Sequence, residues 1–169
     1  KIEGDYTVIS TTLRIPIQAK NIAIAWRVVE CLQEEYPVSI DQFLDGLKEV
    51  YIGFGRFERI SKSQRWYFDG GHNLEAVQAL KESIKTVGRV KNAILVLSMM
   101  RDKVKPEVMN EFSEFKNIYY YTLGLERAAT FDDIKQWLPQ VNPFPVNNHE
   151  TSFLDDFNSE LVIFAGSFY

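Results

Sequence analysis

The residues best suited to chemistry stand in one short run, Trp66-Tyr67-Phe68-Asp69-Gly70-Gly71-His72-Asn73. An apolar strand would deliver the Asp69 carboxylate at its carboxyl end. The two glycines that follow let the backbone turn sharply and come close to a ligand. His72 and Asn73 then stand at the start of a helix, where free N–H groups and the helix dipole favour an anion. Together these groups suit a hydroxyl, a phosphate or a carboxylate. A plainer reading has Asp69 and Asn73 only completing turn and cap hydrogen bonds, and spacing alone leaves both open. Thirteen residues before Asp69, Arg56 lies in Gly53-Phe54-Gly55-Arg56-Phe57-Glu58. This is no dinucleotide fingerprint, since the third glycine is missing and no strand precedes it. The glycines suit an interdomain hinge. Arg56 suits a fork for phosphate oxygens, or an ordinary surface ion pair with Glu58 or Asp69.

Other candidates lead nowhere sharper. Taken singly, His72 reads as a turn or packing histidine, and His149 as a helix-start residue. Asp132-Asp133 and Asp155-Asp156 lack further ligands at metal-binding spacing. Met99-Met100 reads as packing, and Ser10-Thr11-Thr12 has no base nearby in sequence. Cys31 is the single cysteine, so neither an internal disulfide nor a cysteine-rich zinc site is available.

The elements that must position these residues fall into two textures meeting near Gly53. Residues 1–52 offer an extended piece, Tyr6 to Leu13, and two helices. In the first, Asn21 to Gln33, the residues Ile22, Ala25, Trp26, Val29 and Leu32 make one apolar stripe, read as core. The second opens on Ser39 with Gln42 as a capping box and is expected to bury Ile40, Phe43, Leu44, Leu47 and Val50. From 53 onward short apolar runs alternate with helical patterns. Strands are expected at Phe57–Ile60, Arg65–Phe68, Ala93–Ser98, Ile118–Leu123 and Leu161–Ala165. Helices are expected at Leu74–Val87, Pro106–Phe115, Phe131–Leu138 and about Glu150–Asn158. Asn73 can cap the first of these, Pro106 sits at a favoured first position, and Thr130 with Asp133 can open the third. Strands separated by single helices imply right-handed crossovers, a mostly parallel sheet and an α/β, Rossmann-like domain.

Composition agrees with a globular chain. Of 169 residues, 46% are hydrophobic and 25% charged, with a net charge of −4. This excludes disordered and fibrous classes. It also shows no concentrated basic face, so no nucleic-acid partner is expected. No apolar run approaches a membrane span or a signal peptide, which makes the cytoplasm the expected compartment. The chain starts at Lys1 inside an apparent strand and is expected to be an excerpt of something longer.

Several of these motifs, taken in order, resemble the carboxyl-terminal part of folylpolyglutamate and dihydrofolate synthases in the Mur ligase superfamily. They are Gly55-Arg56-Phe57-Glu58, the Asp69-x-x-His72-Asn73 turn and the closing Gly166-Ser167-Phe168-Tyr169. To these add Gln18 with Asn21, Leu97 to Lys103 with its Asp102-Lys103 loop, and Tyr121 to Asp133. The resemblance implies a ligase that uses ATP and Mg²⁺ to activate a folate or dihydropteroate carboxylate as an acyl phosphate, which the amine of L-glutamate then attacks. It implies that residues 1–52 are the tail of a central ATP-binding domain and 53–169 a Mur ligase carboxyl-terminal domain. It places Asn21 on the adenine side, Arg56 on the ATP phosphates, and Asp69 on the ribose side, ordering that Arg. His72 would face the point where amine meets acyl phosphate, with Asn73 and Ser167 on the glutamate side. A monomer is expected, with no metal ligand of its own.

The departures are Leu74 where the family has Pro, Phe54 where it has Pro before Gly-Arg, and the lack of a Gly-x-x-x-x-Gly-Lys-Ser/Thr loop in these residues. The chain alone is therefore expected to fold without catalysing. Two other readings stay open: a peptidoglycan Mur ligase domain, and a freestanding, non-catalytic nucleotide-binding module.

Overall fold

A computed structural model describes residues 16–50, 53–145, 157 and 160–167. The expected extended piece Tyr6 to Leu13, His149, Asp155-Asp156 and nearly all of the expected helix at 150–158 lie outside the described residues. The chain divides into two compact units, Lys1–Ile52 and Gly53–Tyr169.

The first unit contains α1 (Pro16–Leu32) and α2 (Ile40–Lys48). Ser39 caps α2 through a complete capping box: its hydroxyl accepts from the Gln42 N–H, and the Gln42 side chain accepts from the Ser39 N–H. The apolar stripe of α1 is less buried than expected. Ile22 is buried and Trp26 half-buried, its ring edge-on to Phe43 at 5.0 Å, while Ala25 and Leu32 are exposed. α2 buries none of its residues, and Val50 beyond it is 49% exposed. Two short helices by themselves have too little surface between them to enclose a core.

The second unit is built on one sheet. Its strands are β1 (Glu58–Arg59), β2 (Arg65–Asp69), β3 (Ile94–Ser98), β4 (Asn117–Tyr120), β5 (Val141–Pro143) and β6 (Leu161–Gly166), in the spatial order β1-β2-β6-β3-β4-β5. Only β1 runs antiparallel, against β2; the other pairs are parallel. The α/β, mostly parallel sheet expected from alternation is therefore present. β3 is buried at every position, as a central parallel strand with layers on both faces must be. β5 has no counterpart among the expected strands. It is three residues long and ends in Pro143, which is tolerated because this is an edge.

The helices are α3 (Leu74–Lys85), α4 (Pro106–Phe112) and α5 (Phe131–Lys135). α3 buries Val77, Leu80 and Ile84, three and four residues apart on one face. Burying each side chain stabilises by about 1.5–3 kcal/mol. α5 ends three residues short of the expected Leu138 because Pro139 cannot extend it. Thr130 and Asp133 form the expected reciprocal cap. Met99 and Met100 are both buried, as packing residues. At its tight end, β6 closes with Gly166 at φ 108°, where an added Cβ would lie 1.9 Å from the Ser98 carbonyl oxygen. Only glycine permits that approach.

Candidate functional site

The parallel strands end on one edge, β2 at Asp69, β3 at Ser98 and β6 at Gly166, and ligands of open α/β sheets sit beyond this edge. Asp69 is largely withdrawn from solvent and divides its two oxygens between two backbone donors. The Phe57 N–H donates to Oδ2 at 2.8 Å, and the Gly71 N–H donates to Oδ1 at 2.8 Å. A third bond, from the Gly70 N–H to the Gly55 carbonyl at 2.9 Å, completes a clasp between the Gly55–Phe57 loop and the turn after β2. Burial pushes the Asp69 carboxyl up, against the two amide donations and the positive charge of Arg56, which pull it down.

The clasp fixes an unusual backbone. Gly55 sits at φ 77° and Phe57 at φ 48°, the latter with its ring buried and stacked on Tyr67 at 4.7 Å. A bulky residue in left-handed geometry persists only where surrounding bonds over-determine it. Between these two residues Arg56 is exposed, and among the described residues it forms no ion pair. Neither surface pair considered from sequence is formed; Glu58 instead accepts from the Gly55 N–H at 3.2 Å.

His72 is half-buried, with Nδ1 2.9 Å from the Gly70 carbonyl oxygen. A carbonyl can only accept, so Nδ1 is the donor in this bond, and in the tautomer that bears its one proton there Nε2 is the acceptor. Asn73 caps α3: its Oδ1 accepts from the Ala76 N–H at 2.9 Å. His72 and Asn73 line an open cavity of about 300 Å³ with Leu74, Glu75, Lys103, Lys105, Glu107 and Val108.

Ser167 lies elsewhere on the strand edge, buried, with its N–H donating to the Ser98 carbonyl at 2.8 Å; it does not line that cavity. Asn21 belongs to the first unit, exposed on α1, where its Nδ2 donates to Gln18 Oε1 at 3.1 Å. Of the sequence-derived candidates, then, Arg56, Asp69, His72 and Asn73 share one locality. The basic side of the cavity, Lys103 and Lys105, was absent from that set. Lys105 carried a legible signal, a cation immediately before a helix-opening proline, where a small polar cap is the usual choice.

This arrangement can hold an anion beside an imidazole, with a guanidinium placed by a rigid clasp nearby. Comparison with known proteins places the chain in a family. The Mur ligase glutamate ligase domain matches residues 55–159. A curated dihydrofolate synthase/folylpolyglutamate synthase from Buchnera aphidicola is 26% identical over 142 residues, 83% of this chain and 32% of that protein. The folylpolyglutamate synthase of Mycobacterium tuberculosis, solved with ADP and AMPPCP, superposes with a TM-score of 0.75 at 21% identity, over 96% of this chain and 40% of the other. A bifunctional folylpolyglutamate synthase/dihydrofolate synthase solved with Mn, AMPPNP and L-glutamate superposes at 0.71 with 21% identity, over 90% of this chain and 37% of that one. At such identities the structural likeness establishes the fold, and the chain spans about a third of the curated relative's length. The family match covers most of the chain, and with it the clasp and the His72 turn. The chain belongs to the Mur ligase family, through a glutamate ligase domain model whose match falls within its sheet-bearing unit.

Proposed function

We propose that this chain supplies the amino-acid side of an ATP-dependent ligase that joins L-glutamate to a folate or dihydropteroate carboxylate. Residues 1–52 would be the end of a central ATP-binding domain, and 53–169 the glutamate ligase domain. The observation that carries the reading is the clasp: Asp69 holds the Gly55–Phe57 loop so that Arg56 is exposed and, among the described residues, in no ion pair, next to the turn that carries His72. ATP supplies the activated phosphoryl group that makes the folate carboxylate an acylating agent. The chain's residues then position and neutralise. Arg56 offers two N–H donors to phosphate oxygens. His72 Nε2 can accept the proton that the glutamate amine sheds as its nitrogen attacks the acyl carbon and phosphate leaves. Asn21 would lie on the adenine side, Asp69 on the ribose side, and Asn73 and Ser167 toward glutamate. Among the described residues no three His, Cys, Asp or Glu side chains converge as a metal cage, so no step is assigned to Mg²⁺ on this chain. The proposed compartment is the cytoplasm and the proposed state a monomer. Among the described residues no helix is long and apolar enough to cross a membrane.

The test is ligation by the product of the complete gene, given ATP, Mg²⁺ and L-glutamate. Glutamate addition to dihydropteroate or tetrahydrofolate is expected. Ligation to a UDP-muramoyl peptide instead, or none to any carboxylate, would overturn the reading.

A further inference from the structure

We infer that the exposed ring of Phe54 is a stacking platform for the base of the nucleotide whose phosphates Arg56 takes, so that one short loop recognises both ends of that ligand. This rests on the ligase reading and extends it to a side chain that had no role in it.

Among the described residues, Phe54 is the most exposed of the large hydrophobic side chains, at 69%. Exposure of a lone apolar residue is ordinary, but this ring is exposed and also held. It leans on Phe68, with ring centroids 4.9 Å apart and planes tilted by 34°. The backbone beneath it is fixed at Gly55, whose N–H donates to Glu58 and whose carbonyl accepts from the Gly70 N–H. A Cβ at Gly55 would lie 2.8 Å from the Phe68 ring, so that ring packs close over the loop. Beside Phe54 the space is open: a Cβ at Gly53 would meet nothing within 4 Å. The loop's other phenylalanine does the opposite. Phe57 is 8% exposed and stacked on Tyr67. One ring is used for packing and the other is presented to solvent, where only a further molecule can recover the apolar area it leaves in water.

The neighbour says which molecule. Arg56 is two residues from Phe54, exposed and in no ion pair among the described residues, and two residues place Cα atoms no more than ~7 Å apart. A guanidinium recognises phosphate through paired N–H donors, and an aromatic face recognises a flat heterocycle. A nucleotide carries both a flat base and phosphates. A folate or dihydropteroate brings a ring with a carboxylate instead. Stacking accepts any base, because every base has a π-face, so the platform adds affinity for nucleotide more than choice among bases.

The experiment uses the complete gene product with Phe54→Leu, which keeps an apolar group against Phe68, and Phe54→Trp, which keeps an aromatic face. Phe54→Leu should raise the KM for ATP roughly 10-fold, the scale of one lost base–aromatic stack. Because such a contact binds ground state and transition state alike, kcat at saturating ATP should change far less. The KM values for L-glutamate and for the folate substrate should hold, as should the melting temperature, and Phe54→Trp should keep the ATP KM near wild type. An unchanged ATP KM in Phe54→Leu overturns the platform and leaves the ligase reading intact. A rise in the folate KM in place of the ATP KM overturns it by assigning the ring to the other substrate. A joint change in kcat and every KM also overturns it, as the mark of a hinge residue. No ATP-dependent glutamate addition by the unmodified enzyme overturns platform and ligase together.

Discussion

Replacing Asp69 by Asn tests the clasp with the smallest change in shape. In the native chain one oxygen accepts from Phe57 N–H and the other from Gly71 N–H, both at 2.8 Å. Asparagine keeps one oxygen and turns the other into a donor that faces a donor. A hydrogen bond to a charged group contributes about 1.5–3 kcal/mol, and an unpaired buried N–H costs about 1–3 kcal/mol. Against this, the amide escapes the penalty that burial places on the carboxylate, the same penalty that raises its pKa. The net loss should be about 2 kcal/mol at neutral pH. Urea unfolding of the 169-residue chain, followed by tryptophan fluorescence, measures it as a lower midpoint at constant slope. The pH dependence adds a sign. Because the folded Asp69 pKa lies above its unfolded value, the native state holds the proton more tightly, and the wild type gains stability as pH falls into the range just above the ordinary value of ~3.9. The Asn variant lacks that gain, so the gap between the two should widen on acidification. A gap below about 0.5 kcal/mol at neutral pH, or one that narrows in acid, would refute the account of the clasp.

Other outcomes follow from the same structure. Lys81 joins α3 to α4 through Glu111 at 2.8 Å and to the residues just after α4 through Glu114 at 2.6 Å. Burial works to lower the Lys81 pKa, but the two carboxylates hold it above the ordinary lysine range, and the Lys81 hydrogen bond holds Glu111 below the glutamate range. Lys81→Met should therefore cost about 1–2 kcal/mol at neutral pH. Chemical unfolding across pH should show the wild-type advantage fading as pH falls below ~4.3 and again as it rises past ~10.4. Tyr120 Oη donates to the Ala129 carbonyl at 2.8 Å, and burial pushes the phenol up to about 12. Tyr120→Phe should lose about 1–2 kcal/mol in thermal or urea unfolding. It should also remove the destabilisation that the wild type shows as pH rises above ~10. Gly166→Ala drives a Cβ into the Ser98 carbonyl from a left-handed backbone and should cost more than about 3 kcal/mol, read as a large drop in melting temperature.

The sheet was legible because β2, β3, β4 and β6 are apolar runs separated by helices whose starts are marked by local chemistry, Asn73 and Thr130 as caps and Pro106 at a first position. β5 was not, since three residues ending in Pro143 belong to the sheet only through pairing with β4. The buried faces of α1 and α2 were over-read: periodicity shows which side of a helix is apolar, not whether anything covers it. In the site, Asp69, His72 and Asn73 were visible as a turn following a strand. The carboxylate's grip on Phe57, twelve residues upstream, depends on tertiary folding of the Gly55–Phe57 loop. Lys103 and Lys105 share a cavity with His72 because α4 packs against α3 and only β6 separates β3 from β2, which no local spacing reveals. Of the two readings of Asp69 that spacing had left open, the structure shows the plainer one, its oxygens accepting from backbone N–H groups. Its turn-satisfying bonds are what hold the arginine loop in place.

That grip makes Asp69 variants a joint test of folding and chemistry, whereas Arg56 is exposed and unpaired among the described residues. The most direct measurement is therefore glutamate-dependent ADP release by the complete gene product carrying Arg56→Ala. The account predicts a loss of about 1,000-fold, the scale of removing an arginine from transferring phosphoryl oxygens, with the melting temperature unchanged. Turnover within a few-fold of wild type would contradict it.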